Sequence, residues 1–258
     1  VDAKATPTAK DGTTLDGLLN KRIWVEQPAH GYRIAVDTLL LAAAVPPGRR
    51  ALELGCGVGG AMLALAWRVP AMAILGLDIQ PAYVDLARRN IARNGYEDRL
   101  RVQVGDAKAL PASLGSFDRV YLNPPFHDAG RHDGAPDAGK RRANLEEEGA
   151  FAAWLAAAAR VIEPDGILTL IHRADREAEL MALLAPLFPR LIVRPIQTRN
   201  EGPPKRIIIR ASKTGAAAVQ RCPAFRLHGP GGAYTTEGRD LLWEGKSLSF
   251  VETASALA

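Results

Sequence analysis

The sequence predicts an α/β protein, a three-layer sandwich built on a mostly parallel, seven-stranded sheet that ends in an antiparallel hairpin. Short apolar runs alternate with amphipathic helical stretches from residue 50 onward, the pattern of a parallel sheet with helices on its faces. Successive runs end in Gly, Asp or Asn-Pro, the polar strand ends at which open parallel sheets place ligands. The last two runs, Leu191 to Ile196 and Arg206 to Arg210, are joined by a linker around Asn200-Glu201-Gly202-Pro203-Pro204. That linker is too short for a helical crossover, so those two strands run antiparallel.

In chain order, residues 1–14 are small, polar and aperiodic and read as a loose arm. Leu18, Leu19, Ile23 and Val25 alternate with turn formers and predict short strands or a turn across residues 15–32. Ile34 to Val45 reads as a helix stopped by Pro46-Pro47-Gly48. Strands follow at Ala51 to Leu54, Ala73 to Leu77, Leu100 to Val104 and Phe117 to Leu122, with helices at Ala61 to Val69 and Pro81 to Asn94. Proline suits the first turn of the second helix and Gly95 its stop. Residues 126–149 form a long polar stretch, which in a compact domain points to a functional loop. Asn144 with Glu147 makes a capping-box start for the next helix, whose Phe151, Trp154, Leu155, Val161 and Ile162 share one face. A strand at Ile167 to Ile171 and a helix from Asp175 to about Phe188 precede the hairpin. This divides the chain into a covering arm (residues 1–45), a catalytic domain (46–212) and a tail packed on it (213–258).

The chain has 258 residues, with 47% apolar and 24% charged, the balance of a globular protein. Its longest apolar run, Ala150 to Ala159, is too short and too alanine-rich for a membrane span. The opening residues carry no secretion-signal pattern. The two cysteines, Cys56 and Cys222, make no disulfide framework. A cytoplasmic protein without a membrane partner is expected. Lys and Arg number 33 against 28 Asp and Glu, a net +5 that is compatible with a polyanionic partner.

The first strand runs into Glu53-Leu54-Gly55-Cys56-Gly57-Val58-Gly59-Gly60, where glycines allow a tight turn and close approach to a ligand. Gly55, Gly57 and Gly60 also satisfy G-x-G-x-x-G, so a dinucleotide-dependent oxidoreductase or a nucleotide-binding module stays open. Glu53 shifts the balance, because a carboxylate there suits an ammonium group and gives a pyrophosphate nothing. Asp78 ends the next strand and can accept from both hydroxyls of a ribose; Asp106 ends the third and can accept from an adenine amine. Three carboxylates on successive strand ends suit a cationic ligand made of amino acid, ribose and adenine, which describes S-adenosyl-L-methionine.

Asn123-Pro124-Pro125-Phe126 follows the fourth strand. The prolines stiffen the backbone, so the Asn side-chain oxygen and the Pro124 carbonyl can converge on one planar NH₂ group. Two acceptors there pull the nitrogen lone pair out of conjugation and aim it at a methyl sulfonium, and Phe126 can stack on a flat acceptor. Such a reaction depends on positioning and electrostatics without a covalent enzyme intermediate.

The set Glu53-x-Gly55-x-Gly57-x-Gly59, Asp78, Asp106 and Asn123-Pro124-Pro125-Phe126 resembles the class I S-adenosylmethionine-dependent methyltransferases of the amino-methylating type. Gln27-Pro28, Gly31-Tyr32-Arg33, Val36-Asp37-Thr38-Leu39-Leu40, Ile171-His172-Arg173 and Tyr234-Thr235-Thr236-Glu237 resemble, more narrowly, the bacterial tRNA(Val) adenine-N6 methyltransferases. Some relatives of that family are described as O-methyltransferases. The resemblance implies a Rossmann-like fold and cofactor contacts at Glu53, Gly55, Cys56, Gly57, Gly59, Asp78, Ile79, Asp106, Ala107 and Asn123. It also implies a covering role at the methionine end for Arg33, Asp37 and Thr38, and a tRNA substrate held at Asn123 to Phe126. Phe126 stands where many relatives have tyrosine.

Arg131, Lys140, Arg141 and Arg142, with Lys205 and Arg206, are candidates for phosphate contacts. His127 and His132 flank the site, as candidate general bases or, as is commoner for loop histidines, as solvent-facing residues; His172 reads as structural and Trp154 as core. Five scattered histidines and no paired-cysteine spacing provide no metal site, which disfavours metal-dependent O-methylation. Methylation of a glutamine side-chain amide and small-molecule O-methylation are the alternatives within the class. No feature of the sequence sets an oligomeric state.

Overall fold

The computed structural model describes residues 12–30, 33–124, 137–199 and 201–250, with residues 137–148 described by their backbone alone. A hairpin of β1 (Thr13–Leu18) and β2 (Ile23–Pro28) precedes α1 (Val36–Ala44). The alternating unit then runs β3 (Arg50–Leu54), α2 (Gly60–Arg68), β4 (Ala73–Asp78), α3 (Pro81–Asn94), β5 (Leu100–Val104) and β6 (Phe117–Leu122). It continues through α4 (Asp137–Val161), β7 (Ile162–Arg173), α5 (Glu177–Leu184), β8 (Arg190–Gln197) and β9 (Arg206–Ser212). The remaining elements are β10 (Ala218–Arg221), β11 (Phe225–Arg226) and α6 (Thr236–Glu244).

The main sheet has the order β10-β8-β9-β7-β6-β3-β4-β5, with β11 also paired to β8, nine strands in all. Only β9 is reversed, antiparallel to both β7 and β8. The expected seven strands form the body of this sheet, and the tail adds β10 and β11 along β8. The chain order reverses at β3, which pairs with β4 on one side and β6 on the other. This switch point opens a crevice at the carboxyl ends of β3 and β6.

Each face of the sheet has its own core. One buries Leu40, Leu41, Met62, Leu65, Ile91 and Leu241 from α1, α2, α3 and α6. The other buries Leu155, Ala158, Leu180 and Leu184 from α4 and α5 against Leu52, Leu122, Leu168 and Ile209.

Several bounds depart from the sequence reading: Ile162, expected on the helix face, opens β7 instead, and α5 starts at Glu177 after a short 3-10 turn that holds Asp175. The helix after β6 starts at Asp137, not at Asn144, so only part of the 126–149 stretch remains for a loop. Residues 137–148 are mostly Ala, Lys, Arg, Leu and Glu, and their summed helix propensity outweighs a local capping signal. The helix expected to reach Phe188 ends at Leu184, because Pro186 cannot continue the ladder. Phe188 remains fully buried just beyond it.

Helix α1 is fixed at both ends. Arg206 Nε lies 2.7 Å from Asp37 in its first turn. Two half-buried guanidiniums meet its last carbonyls: Arg68 donates to Ala42 O at 2.8 Å and also to Val45 O, and Arg210 donates to Ala44 O at 2.6 Å. These cations cap carbonyls at the negative end of the helix dipole.

Asn90 and Asn94, one turn apart on α3, dock the hairpin. Asn94 exchanges hydrogen bonds with the backbone of Trp24 at 3.0 and 2.8 Å. Asn90, fully buried, accepts from Glu26 N–H at 2.7 Å and donates to Glu26 O at 2.8 Å and Val58 O at 2.9 Å. One side chain thus joins the hairpin to the glycine loop. Asn90→Ala strands three backbone groups in the core and is expected to lower unfolding free energy by about 3 kcal/mol. Urea unfolding of both proteins measures this, and a loss below about 0.5 kcal/mol would show that Asn90 is not the joint.

Candidate active site

The loop after β3 is held against the end of β4. Cys56 N–H donates to Leu77 O at 2.9 Å, and Gly57 N–H donates to Asp78 Oδ2 at 2.8 Å. Gly55, Gly57 and Gly59 take φ values of 70°, 52° and 86°, in the left-handed region that favours glycine. Gly55 has a second reason: a Cβ there would stand 2.9 Å from the ring of Trp154. Trp154 is half-buried, and its ring packs on the turn that forms the site as well as on the core.

A cleft opens at the switch point, lined by Ile34, Thr38, Glu53, Gly55, Cys56 and Asn123 among others. It brings together residues from α1, β3, the glycine loop and the end of β6. Glu53 is 4% exposed, and its Oε2 accepts from the Tyr121 hydroxyl at 3.1 Å. No cation pairs with it among the described residues. Burial pushes the Glu53 carboxyl up to about 8, opposed by hydrogen bonds from Tyr121 and the Met62 backbone and reinforced by the nearby Asp78 charge. Asn123 Oδ1 is buried, has no hydrogen-bond partner among the described residues and lines the same cleft.

Asp78 is buried at the end of β4. Its Oδ1 accepts from Gln80 N–H at 2.9 Å, which leaves further lone-pair directions on each oxygen for a ligand. Asp106 is more open; its Oδ1 accepts from Lys108 N–H at 2.9 Å and its side chain is 36% exposed. Ile79, the residue after Asp78, is 61% exposed and offers an apolar surface, whereas Ala107 is buried.

The arm divides differently from the expectation. Thr38 reaches the cleft. Arg33 instead turns into the hairpin, donating to Thr14 Oγ1 at 2.8 Å, Pro28 O at 2.9 Å and Asp16 Oδ2 at 2.8 Å. Asp37 is committed to Arg206 and is not among the cleft residues. Arg206 is therefore charge-paired, while Lys205 is exposed with no ion pair among the described residues. Pro125, Phe126, His127, Arg131 and His132 lie outside the described residues, as do the side chains of Lys140, Arg141 and Arg142. His172 is buried beside the Phe151 ring at 5.5 Å, and burial with the adjacent Arg176 charge holds it down to about 4, so it is neutral at physiological pH.

Tyr121 was missed by sequence reasoning. It reads as one more apolar residue of β6, yet it is directly opposite Glu53 in the β3–β6 register and supplies a phenol donor to it. A Glu two residues before a glycine loop, with Tyr two residues before Asn-Pro-Pro, is the signal that finds this pair.

The residues fit S-adenosylmethionine. A buried carboxyl without a counter-cation, a glycine cradle, two strand-end carboxylates and an exposed isoleucine suit its ammonium, ribose and adenine.

Comparisons agree with this geometry. Residues 51–138 match the family model for a methyltransferase domain. A crystal structure of a predicted O-methyltransferase from Agrobacterium tumefaciens superposes with a TM-score of 0.68 at 24% identity, covering 83% of this chain and 98% of that one, a likeness of fold. Fold and domain define the protein as a class I S-adenosylmethionine-dependent methyltransferase, an enzyme whose methyl donor is S-adenosylmethionine. A tRNA1(Val) (adenine(37)-N6)-methyltransferase from Porphyromonas gingivalis is 30% identical over 233 residues, 84% of this chain and 89% of that protein. The chain belongs to that family. A 4-amino-L-phenylalanine/4-methylamino-L-phenylalanine methyltransferase from Streptomyces pristinaespiralis is 33% identical over 145 residues, 51% of this chain and 46% of that protein. No helix among the described residues is long and apolar enough to cross a membrane.

Ionisation of Glu53 should show in donor binding. Below about pH 8 the carboxyl must release its proton to meet an ammonium group, so affinity rises with pH by up to about tenfold per unit. Above that the α-amino group of the donor loses its own proton, near ~8, and affinity falls again. Calorimetry is expected to give a bell-shaped profile peaking near pH 8, with the rising limb absent in Glu53→Gln. A flat profile in the unaltered protein would sink this role. Tyr121→Phe removes a donor to the carboxylate and is expected to displace the rising limb to higher pH.

Proposed function

We propose that this enzyme transfers methyl to the exocyclic N6 amine of an adenine in tRNA. The observation that carries the reading is Asn123 Oδ1, an acceptor buried in the cleft beside Glu53 and lacking any donor among the described residues. Leaving such a group unpaired costs about 1–3 kcal/mol, so the site has a use for a donor that comes with the substrate. An NH₂ group provides one. Two relatives support an amine on a flat ring as acceptor: one is named for adenine N6, the other for 4-amino- and 4-methylamino-phenylalanine.

S-adenosylmethionine, when bound, supplies an electrophilic methyl group on a sulfonium. The chain's own residues prepare the acceptor. Asn123 Oδ1 accepts a hydrogen bond from one amine N–H and the Pro124 carbonyl accepts one from the other, so the nitrogen leaves planarity and its lone pair projects from the ring; as the N–C bond forms the S–C bond breaks, and the surplus amine proton passes to solvent. Pro124 fixes the backbone that aims both oxygens. Glu53, Asp78, Asp106, Ile79 and Ala107 hold the donor, while Thr38 and Ile34 of the α1 segment close the cleft over it. An adenine reaches such a cleft only when flipped out or already unpaired, which points to a loop nucleotide.

Labelled methyl transfer into bulk tRNA, run beside protein and small-phenol pools, tests the reading; incorporation confined to either of the other pools overturns it. Asn123→Ala is expected to reduce transfer at least about a hundredfold, on the scale of losing one positioned hydrogen-bonding group at a reacting centre. Its donor affinity should stay within about twofold.

A further inference from the structure

The carboxyl rim of the sheet continues past the cleft across β7, β9, β8 and β11. Strand register fixes the row. Arg173 stands opposite Arg206, Arg206 opposite Ile196, and Gln197 opposite Arg226. Lys205 enters the row through its N–H bond to Ile196 O at 3.1 Å, and Arg199 lies two residues beyond the end of β8. From Asn123 at the end of β6 to Arg226 on β11 is four strand spacings, roughly 19 Å.

Charge is distributed unevenly along this row. Near the cleft the cations are neutralised, Arg173 by Asp175, Arg176 by Glu179 and Arg206 by Asp37. Farther out, Arg199, Lys205 and Arg226 are exposed and have neither an ion pair nor a side-chain hydrogen bond among the described residues. Segments 198–206 and 225–230 contain four Lys and Arg residues against a single acidic one, Glu201.

The tail builds this rim. His228 Nδ1 lies 2.6 Å from Thr198 O, and the His228 ring is 4.3 Å from that of Tyr234. Thr235 Oγ1 donates to Arg226 O at 2.8 Å and accepts from Gly238 N–H at 2.9 Å, capping α6. The Tyr234-Thr235-Thr236-Glu237 segment thus anchors the strand that carries Arg226 to the turn that carries Arg199.

We propose that Arg199, Lys205 and Arg226 form a phosphate track that holds the RNA strand flanking the target adenine. The inference rests on the proposed RNA substrate and deepens it. Fixed backbone elements hold exposed, unpaired guanidinium and ammonium groups at a distance from the cleft that several nucleotides of an unpaired strand can span. The neutralised cations next to the cleft leave that end of the row to the base itself. Binding through this track is electrostatic, tolerant of sequence and salt-sensitive.

The test compares the unaltered enzyme, the triple variant Arg199→Ala/Lys205→Ala/Arg226→Ala, and a control Arg49→Ala/Arg88→Ala. The control removes two cations from outside this row, one just before β3 at the amino edge and one on α3. Each is titrated with bulk tRNA between 50 and 200 mM salt, and donor binding is followed by calorimetry. The triple variant is expected to bind tRNA at least about tenfold more weakly at low salt. Its plot of log affinity against log salt should be shallower by about 2, some 0.7 for each lost phosphate contact. Its donor affinity should be unchanged, which reports an intact fold. An unchanged salt slope with intact donor binding overturns the track, as does an equal shift in the control. If the unaltered enzyme methylates tRNA in either case, the substrate reading survives; if it methylates only protein or phenols, that reading fails and the track with it.

Discussion

A carboxyl group without a counter-cation, enclosed beneath the glycine loop, is the constraint on which the site is built. Taking Glu53 out of water disfavours its charged form, and the fold answers with a phenol and a backbone donor. The rest of the crevice keeps that arrangement in place. Asp78 fastens the loop by accepting from Gly57 N–H, and Asn90 ties the far end of the loop to the hairpin through Val58. Tyr121 lies on β6 directly opposite Glu53, so the strand that ends just before Asn123 also supplies the phenol donor to the buried carboxyl.

Helix α1 forms one side of the cleft and is anchored at both ends. Arg206 holds its first turn, and the half-buried Arg68 and Arg210 hold its last carbonyls. Arg68 comes from α2, and Arg206 and Arg210 come from the start and the middle of β9. Thr38 and Ile34 consequently face the cleft from a fixed wall, and Gly60 leaves room for them, since a Cβ there would meet Ile34 Cδ1 at 2.5 Å.

Most of the sheet could be read from the chain because alternation of period and polar strand ends are local properties. β5, β6 and α3 agree with their expected bounds, as does the reversal of β9 against β8. The tail was harder: β10 and β11 have four and two residues, too few for a periodic signal, and exist because β8 offers an open ladder. The start of α4 was misplaced because a capping pattern is four residues long and propensity acts over a whole run. Within the site, Glu53, the glycines and Asn123 could be picked out by spacing. The partners of Arg33 and Asp37 could not, since Asp16 and Arg206 are distant in sequence or hidden among many equivalent charges. Tyr121 carries no motif of its own and acquires its role only through cross-strand register.

The two short tail strands have a consequence for the protein as a particle in solution. They lie parallel along β8, the outermost long strand on that side, and pair with six of its eight residues, backbone that would otherwise be an open template. Such an edge recruits strands from other chains. Shortening the chain after Ser212 would therefore do more than remove an appendage: it would turn a closed border into an adhesive one, and molecules so trimmed should assemble side by side at concentrations where the full chain stays dispersed.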